Sequence, residues 1–477
     1  MRKSAKDLIL VGDALQKPVL VLAVIILCAF SLRVLLLGHK SLWLDEAFGL
    51  YVSKAGPQAL WSGQPEIHHP PLFHLIQAYW VRLGESEFVL RLLSVLFGVL
   101  CVVLLYRLGK KAAGEKAGLS AAAIAALSPL LVWYSQEARS YSLLVCLGLA
   151  VMMAAMDLFL KPNLGRTILF AAAMTAAAYT HYGAFLLVPL QAVLLLFLFG
   201  QKKARKKAFL FWAAGWIFVF IAYLPWLKSP AARAFLGPLK KGSYPVQLAA
   251  GKLGVEPGLL MVIILGTMAP VLVLGLWLCA RLFQKHDRLW EMLGSRPRIR
   301  RLLLVAFIAV LIASVIPRGY SIRKQLTVLF PYLLLFFGRL WPWETRHKKA
   351  LAIVLSLSFL ASLVNIVFIP KDQWRQTADH IHARSRGNDV VVLLPDYATY
   401  PFDYYDRGKM RRVGIQPSSF VPELESLLKE HGRLWLVSNR GNIADPGRKI
   451  ETWLEANSRP VESKSFHLIR TRLFQAE

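Results

Sequence analysis

Acidic residues are scarce in this sequence: 28 Asp and Glu stand against 57 Lys and Arg. The resulting formal charge of +29 would point a soluble protein toward nucleic acid. Here the basic residues sit in short loops between long apolar runs and form no patch with interleaved aromatics, so no nucleic-acid partner is expected. Cysteine is nearly absent. Cys28, Cys101, Cys146 and Cys279 all fall in apolar stretches with no CxxC or CxxxxH spacing, which predicts neither a disulfide framework nor a zinc knuckle. The chain lacks a GxxxxGK[ST] loop and an HExxH helix, so ATP-driven transport and zincin proteolysis both lack their chemistry. The energy for any reaction must then arrive with the substrate. There is no internal repeat of roughly 20–50 residues and no low-complexity tract, which counts against solenoids and long linkers.

What the sequence has in abundance is apolar length. With 56% hydrophobic and 18% charged residues and a mean hydropathy of +0.47, it is predicted to be a polytopic membrane protein. Runs of roughly 17–25 apolar residues can cross a bilayer, and about eleven are present: 18–37, 88–108, 117–134, 140–160, 167–181, 183–200, 208–227, 257–283, 302–317, 326–341 and 350–369. The basic N-terminus is followed by an apolar segment with no small-x-small cleavage site, so that segment is expected to remain as the first span, starting inside. Every second loop is rich in Lys and Arg, as the positive-inside rule expects of cytoplasmic loops: 107–116, 161–166, 202–207, 281–301 and 346–349. An odd number of spans puts the C-terminus outside. Residues 1–370 are therefore read as the transmembrane domain, with a large first outer loop over 38–87, and 371–477 as a small extracytoplasmic α/β domain. In the tail, 389–395 and 433–439 read as buried strands and 372–385 and 446–457 as helices.

Four constellations on the outward loops can carry chemistry. Asp45-Glu46 follows the first span directly, and two adjacent carboxylates there are costly unless solvated, paired or used. A partly desolvated carboxylate at that depth can act as a base toward an acceptor hydroxyl or amine; the alternative is a solvated loop pair. The second constellation is Trp133-Tyr-Ser-Gln-Glu-Ala-Arg-Ser-Tyr141 in the next outward turn. Glu137 can ligate Mg²⁺ or Mn²⁺, with Asp45 as a further candidate ligand, and Arg139 can clamp phosphate, or the two can simply neutralise each other. Third are the histidines His68, His69 and His181, read as phosphate donors ahead of metal ligands. Fourth, Arg318, Arg323 and Lys324 place positive charge on an outward loop, which suits a polyprenyl phosphate headgroup or ordinary snorkelling to lipid.

These strings resemble a known family. Ser41-Leu-Trp-Leu-Asp-Glu-Ala47, His69-Pro-Pro-Leu72, Ser86-Glu-Phe-Val-Leu-Arg-Leu92 with Gly98, the Trp133–Tyr141 string, His181-Tyr182, Lys324-Gln-Leu326, Trp374-Arg375 and Pro401-Phe-Asp-Tyr-Tyr405 are similar to the dolichyl-phosphate-mannose protein mannosyltransferase-like group of GT-C glycosyltransferases (glycosyltransferase family 39-like), in its bacterial members. The resemblance implies a GT-C fold of about eleven transmembrane helices in the cytoplasmic membrane of a bacterium. It implies inverting transfer of a sugar, mannose or another hexose, from a polyprenyl-phosphate donor to a glycan, lipid or protein acceptor on the outer face. Asp45 then matches the family's first-loop acid, the base for the acceptor, with Glu46 as its partner. Glu137 matches the second-loop acid, and Arg139, His69, His181 and Lys324 are expected near the donor phosphate. Many relatives carry Arg-Tyr-Leu where this chain has Lys324-Gln325-Leu326. The runner-up from another class is a lipid-linked sugar flippase, since many spans with few membrane charges also suit transport; a scaffold for other membrane enzymes leaves the first loop's acids unexplained.

Overall fold

The structure is a computed structural model that describes residues 5–63, 69–187, 191, 202–232, 345–416, 420–445 and 447–476. The expected spans at 257–283, 302–317 and 326–341, most of 183–200, and the site candidates His68 and Lys324 lie outside the described residues. The chain divides into two compact units: the first comprises residues 1–35, 55–80 and 92–366, the second 36–54, 81–91 and 367–477. The first long loop is thus shared between them.

The first unit is helical. Its elements are α1 (Ala5–Val34), then α3 (Gly56–Ser62), α4 (Leu72–Trp80), most of α5 (Glu87–Ala113), α6 (Glu115–Leu127), α7 (Pro129–Ser135), α8 (Tyr141–Leu160), α9 (Leu164–Thr180), α10 (Lys202–Lys228) and α11 (Thr345–Val367); α2 (Leu44–Lys54) belongs to the second unit. Among the described residues four helices are long and apolar enough to cross a membrane, five if α6 and α7 form one span. α8 is buried along most of its length between α5–α7 and α9–α10, whereas Val19, Leu20, Leu27, Phe220, Ile221 and Leu360 leave large apolar side chains exposed. That apolar exterior suits lipid and not water. Alanines 117, 121, 122, 125 and 126 of α6 are buried, and such small side chains let helix backbones approach closely in a bilayer.

The expected span 117–134 is broken. α6 and α7 meet at 59° because Pro129 has no N–H to give the Ala125 carbonyl. Ser128 caps α7 by accepting from Leu131 N at 3.4 Å. The orphaned carbonyls are taken by Arg33 of α1, which donates from Nη2 to Ala125 O at 3.0 Å and from Nη1 to Ala126 O at 2.8 Å and Ala29 O at 3.1 Å. Its Nε donates to Ser135 Oγ at 3.1 Å, at a place where a Cβ on Gly98 would stand 2.1 Å from that Oγ. Gly98 is therefore required by space.

In the second unit, residues 367–477 build a five-stranded sheet ordered β2-β1-β3-β5-β4, from β1 (Val390–Leu394), β2 (Arg411–Gly414), β3 (Arg433–Asn439), β4 (Arg459–Phe466) and β5 (Ile469–Gln475). β1 runs parallel to β2 and β3, while β5 is antiparallel to β3 and β4. Crossovers between parallel strands need a helix: α13 (Thr399–Asp406) links β1 to β2, and α14 (Val421–His431) links β2 to β3. β1 is buried at every position, which explains its unbroken Val-Val-Val-Leu-Leu, since a strand covered on both faces does not alternate. One face packs on α14 and α15 (Lys449–Asn457), the other on α12 (Trp374–His382) and α13. The expected strands 389–395 and 433–439 and both expected helices are in place; β2, β4, β5, α13 and α14 are additional.

Candidate functional site

Asp45 and Glu46 open α2, in its first turn, where the helix dipole and unpaired backbone N–H groups favour carboxylates. Adjacent in sequence, they differ in environment. Asp45 keeps part of its surface exposed, whereas Glu46 is 0% exposed. Arg91 grips Glu46 with two parallel bonds, Nε to Oε1 at 2.8 Å and Nη2 to Oε2 at 2.7 Å, the bidentate geometry that matches guanidinium to carboxylate. Lys371 Nζ lies 3.4 Å from Oε2, and the same oxygen accepts from Trp43 N at 3.4 Å, the reach of a third-position Glu back to its helix cap.

Arg91 is used to the full. Nη1 also donates to Leu37 O at 2.9 Å and Lys40 O at 2.7 Å, and Nη2 to Ser41 O at 2.9 Å, so all five guanidinium N–H groups are engaged. One side chain therefore fixes both the α2 carboxylate and the chain leading into α2. The tail reinforces this segment. Tyr405 Oη accepts from Leu42 N at 2.7 Å and donates to Glu87 Oε1 at 2.9 Å; Arg375 pairs with Glu87 and donates to His39 O and Gly38 O, each at 3.2 Å. Burial and the neighbouring Glu87 push the Tyr405 phenol well above its ordinary range. Lys40 Nζ donates to Ile369 O at 2.7 Å, and burial, then the charges of Lys371 and Arg91, lower its ammonium to about 8. Phe48 and Tyr51 of α2 pack on Tyr400 with ring centroids 5.0 and 4.9 Å apart.

The other candidates lie in the first unit. Glu137 and Arg139 sit in the tight turn between α7 and α8, where Arg139 N donates to Glu137 O at 2.8 Å. They are buried, at 2% and 7% exposure, so this is not a solvated pair. The turn is held from outside: Ser94 Oγ donates to Arg139 O at 3.2 Å, and Gln136 Nε2 to Arg33 O and Leu35 O at 3.0 and 2.9 Å. His69 and His181, 112 positions apart, stack with ring centroids 4.4 Å apart and planes 26° from parallel. Tyr141 lies 5.8 Å from His181 and 4.8 Å from Tyr134, centroid to centroid. His181 Nδ1 accepts from Gly183 N at 2.8 Å, which makes Nε2 the proton-bearing nitrogen of the neutral ring, a donor suited to an anionic oxygen.

The structure thus gathers His69, His181 and Tyr141 in one unit, with Glu137 and Arg139 beside Tyr141 in sequence, and places Asp45 and Glu46 in the other. Among the described residues no three His, Cys, Asp or Glu side chains converge as a metal-binding group. Sequence reasoning gave no role to Arg33, Arg91, Lys40 or Lys371. Arg91 lay inside a string already singled out, and a basic residue four positions into an apolar helix was the signal that it has an acid partner.

Residues 68–227 match the family model described as dolichyl-phosphate-mannose-protein mannosyltransferase. Among solved structures, ArnT from Cupriavidus metallidurans in the apo state aligns at 15% identity and a TM-score of 0.50, covering 97% of this chain and 98% of ArnT. The same protein bound to undecaprenyl phosphate aligns at 16% identity and a TM-score of 0.51, covering 95% and 97%. The oligosaccharyltransferase AglB from Archaeoglobus fulgidus, in complex with an inhibitory peptide and a dolichol-phosphate, aligns at 11% identity and 0.52, covering 95% of this chain and 74% of AglB. No curated protein matches the sequence. The fold is that of the GT-C glycosyltransferases, as the motifs indicated, and the chain is a multi-pass α-helical membrane protein. The family match spans His69, Glu137, Arg139 and His181 and begins after Asp45.

Proposed function

We propose that this protein is a polyprenyl-phosphate-sugar-dependent glycosyltransferase that moves a hexose to an acceptor on the outer face of a bacterial cytoplasmic membrane, with the N-terminus inside and the 371–477 domain outside. The observation that carries this reading is the split in role between two neighbouring carboxylates. Glu46, locked by Arg91 and Lys371, fixes the first turn of α2, and Asp45 is left as the partly exposed acid held in a set position. Glu46 is accordingly a positioning residue, and Asp45 is the catalytic one.

In the reaction, the acceptor oxygen attacks the anomeric carbon and loses its proton to Asp45. The bond from that carbon to the phosphate oxygen breaks with inversion, and polyprenyl phosphate leaves with the electron pair. Arg139, the Nε2–H of His181, His69 and Lys324 would meet the charge growing on the phosphate, since donors fixed in a desolvated site need little reorganisation as charge develops. Glu137 is the residue that would take a divalent cation; such a cation would neutralise phosphate charge, and none of the steps above depends on it.

The test is transfer of radiolabelled sugar from synthetic polyprenyl-phosphate donors by purified protein in nanodiscs, with and without chelator. Asp45→Asn should lower turnover by about three orders of magnitude or more while donor affinity changes little. Full turnover in Asp45→Asn removes the assignment. Loss of turnover on chelation would show that a divalent cation is needed, with Glu137→Gln testing whether that residue holds it, and labelled lipid crossing liposomes without transfer would favour a flippase.

A further inference from the structure

The tail domain carries a cleft that the transfer chemistry does not use. It has a volume of about 600 Å³ and opens beside the amino ends of the three parallel strands, lined by His382, Arg386, Asp389, Lys409, Arg411 and His431 among others. The register sets Val390 of β1 opposite both Arg411 of β2 and Leu434 of β3, so the residues just before each strand come together here. Ligands of open α/β sheets usually bind at the carboxyl ends; this site is at the opposite edge.

Three of the lining side chains have their charge accounted for. Arg411 pairs with Glu430 at 2.6 Å, His382 Nε2 lies 2.8 Å from buried Asp406 Oδ1, and buried Asp389 meets Arg433 at 3.3 Å and Trp435 Nε1 at 3.1 Å. Arg386 and Lys409 are exposed and, among the described residues, neither has a carboxylate partner. α12, α13 and α14 all end near this edge, and cations offset the negative ends of helices. That accounts for some basic residues here, and His431 itself closes α14, but the helix end gives its buried ring no second hydrogen-bond partner. Its side chain is only 5% exposed. Nδ1 lies 2.8 Å from Asn388 O, and because a carbonyl only accepts, Nδ1 carries the proton. Nε2 has no hydrogen-bond partner among the described residues; Glu430 Oε1, at 3.8 Å, is beyond bonding distance. A buried imidazole with an acceptor nitrogen in a cationic cleft calls for a ligand bearing both a hydroxyl and a negative charge.

We propose that this cleft binds an anionic saccharide: a sugar hydroxyl donates to His431 Nε2, and a phosphate or carboxylate on the same sugar meets Arg386 and Lys409. The volume suits one or two sugar rings, within the roughly 300–1,000 Å³ usual for small-ligand sites. The cleft shares no lining residue with the Asp45 chemistry.

The test is binding to the full-length protein in phosphatidylcholine nanodiscs, followed by microscale thermophoresis with glucose 6-phosphate, glucuronate, methyl glucoside and inorganic phosphate. Glucose 6-phosphate or glucuronate should bind, and whichever binds more tightly identifies the charged group. The Arg386→Ala/Lys409→Ala variant should bind it at least about tenfold more weakly, with its melting temperature and its transfer from lipid donors unchanged, since both side chains are exposed. His431→Gln should narrow the preference for glucose 6-phosphate over inorganic phosphate. Three results would overturn the proposal: charged sugars bound no better than methyl glucoside, equal binding by the double variant, or inorganic phosphate bound as tightly as glucose 6-phosphate. Unchanged discrimination in His431→Gln would remove His431 from the site.

Discussion

Two arginines, Arg33 and Arg91, are almost wholly buried, at 0% and 1% exposure, and they are kept charged by different means. Arg91 answers a carboxylate: Glu46 takes two of its N–H groups and three backbone carbonyls take the rest. Arg33 answers a break in a helix, and its bonds run to a hydroxyl and to three carbonyls, two of them set loose around the proline step. The first is an ion pair, the second a cation solvated by backbone dipoles. A buried pair is strongly coupled, because removing one member strands the other as an unpaired charge. A cation held by neutral carbonyls leaves only unsatisfied acceptors when removed, and each costs less.

Breaking the ion pair should give the largest effect. Arg91→Met leaves Glu46 buried with Lys371 at 3.4 Å and without its bidentate clamp, and should cost about 3–5 kcal/mol, visible as a lower melting temperature and reduced yield in detergent. Transfer should fall with it, since α2 loses the clamp that sets Asp45. Glu46→Gln should cost a similar amount, and the Glu46→Gln/Arg91→Met double variant should be more stable than the sum of the singles predicts. Additive losses in that double-mutant cycle would show that the two residues act independently.

Arg33→Met removes the donors to Ala125 and Ala126 but strands no ion, so about 1–3 kcal/mol is expected, less than for Arg91→Met. Gly98→Ala reaches the same place by another route, since its Cβ would stand 2.1 Å from Ser135 Oγ and 3.2 Å from Arg33 Nε. The overpacking should cost about 1–3 kcal/mol. Because both changes displace Arg33 from Ser135, their combined cost should be less than additive, and full additivity in thermal unfolding would mean that Gly98 acts elsewhere.

Legibility followed the physics of each element. Long apolar helices, the fully buried strand β1 and the almost wholly buried β3 declared themselves because burial leaves a continuous hydrophobic run. β4, Arg459–Phe466, was not visible because it lies at the edge of the sheet and is mostly exposed, so its sequence is free to be polar. The break at Pro129 was hidden inside a run that is apolar throughout. Asp45-Glu46 and Glu137–Arg139 stood out because acids are rare here, but no local pattern could tell that Glu46 is consumed by Arg91, 45 positions away. Nor could spacing show that His69 stacks on His181. Pairings at long sequence separation belong to the fold, and they decide which of two neighbouring acids has a surface left to work with.

The smallest expected effect concerns the cations gathered around Glu46. Burial, and then repulsion from Lys371 and Arg91, lowers Lys40 to about 8 from an ordinary 10.5. A lysine whose folded pKa lies below its unfolded one binds fewer protons folded than unfolded between those values. Stability should therefore rise with pH from about 8 toward 10.5 and be insensitive to Lys40 below that window. Lys40→Met should flatten this part of the pH profile of thermal unfolding. Isotope-labelled reductive methylation followed by NMR should show one lysine titrating near pH 8, and Lys371→Met should move that resonance only part of the way back, because burial and not the neighbouring charge is the larger cause. A Lys40 resonance at the ordinary value would mean that the segment leading into α2 is more open to water than the packing around Arg91 implies.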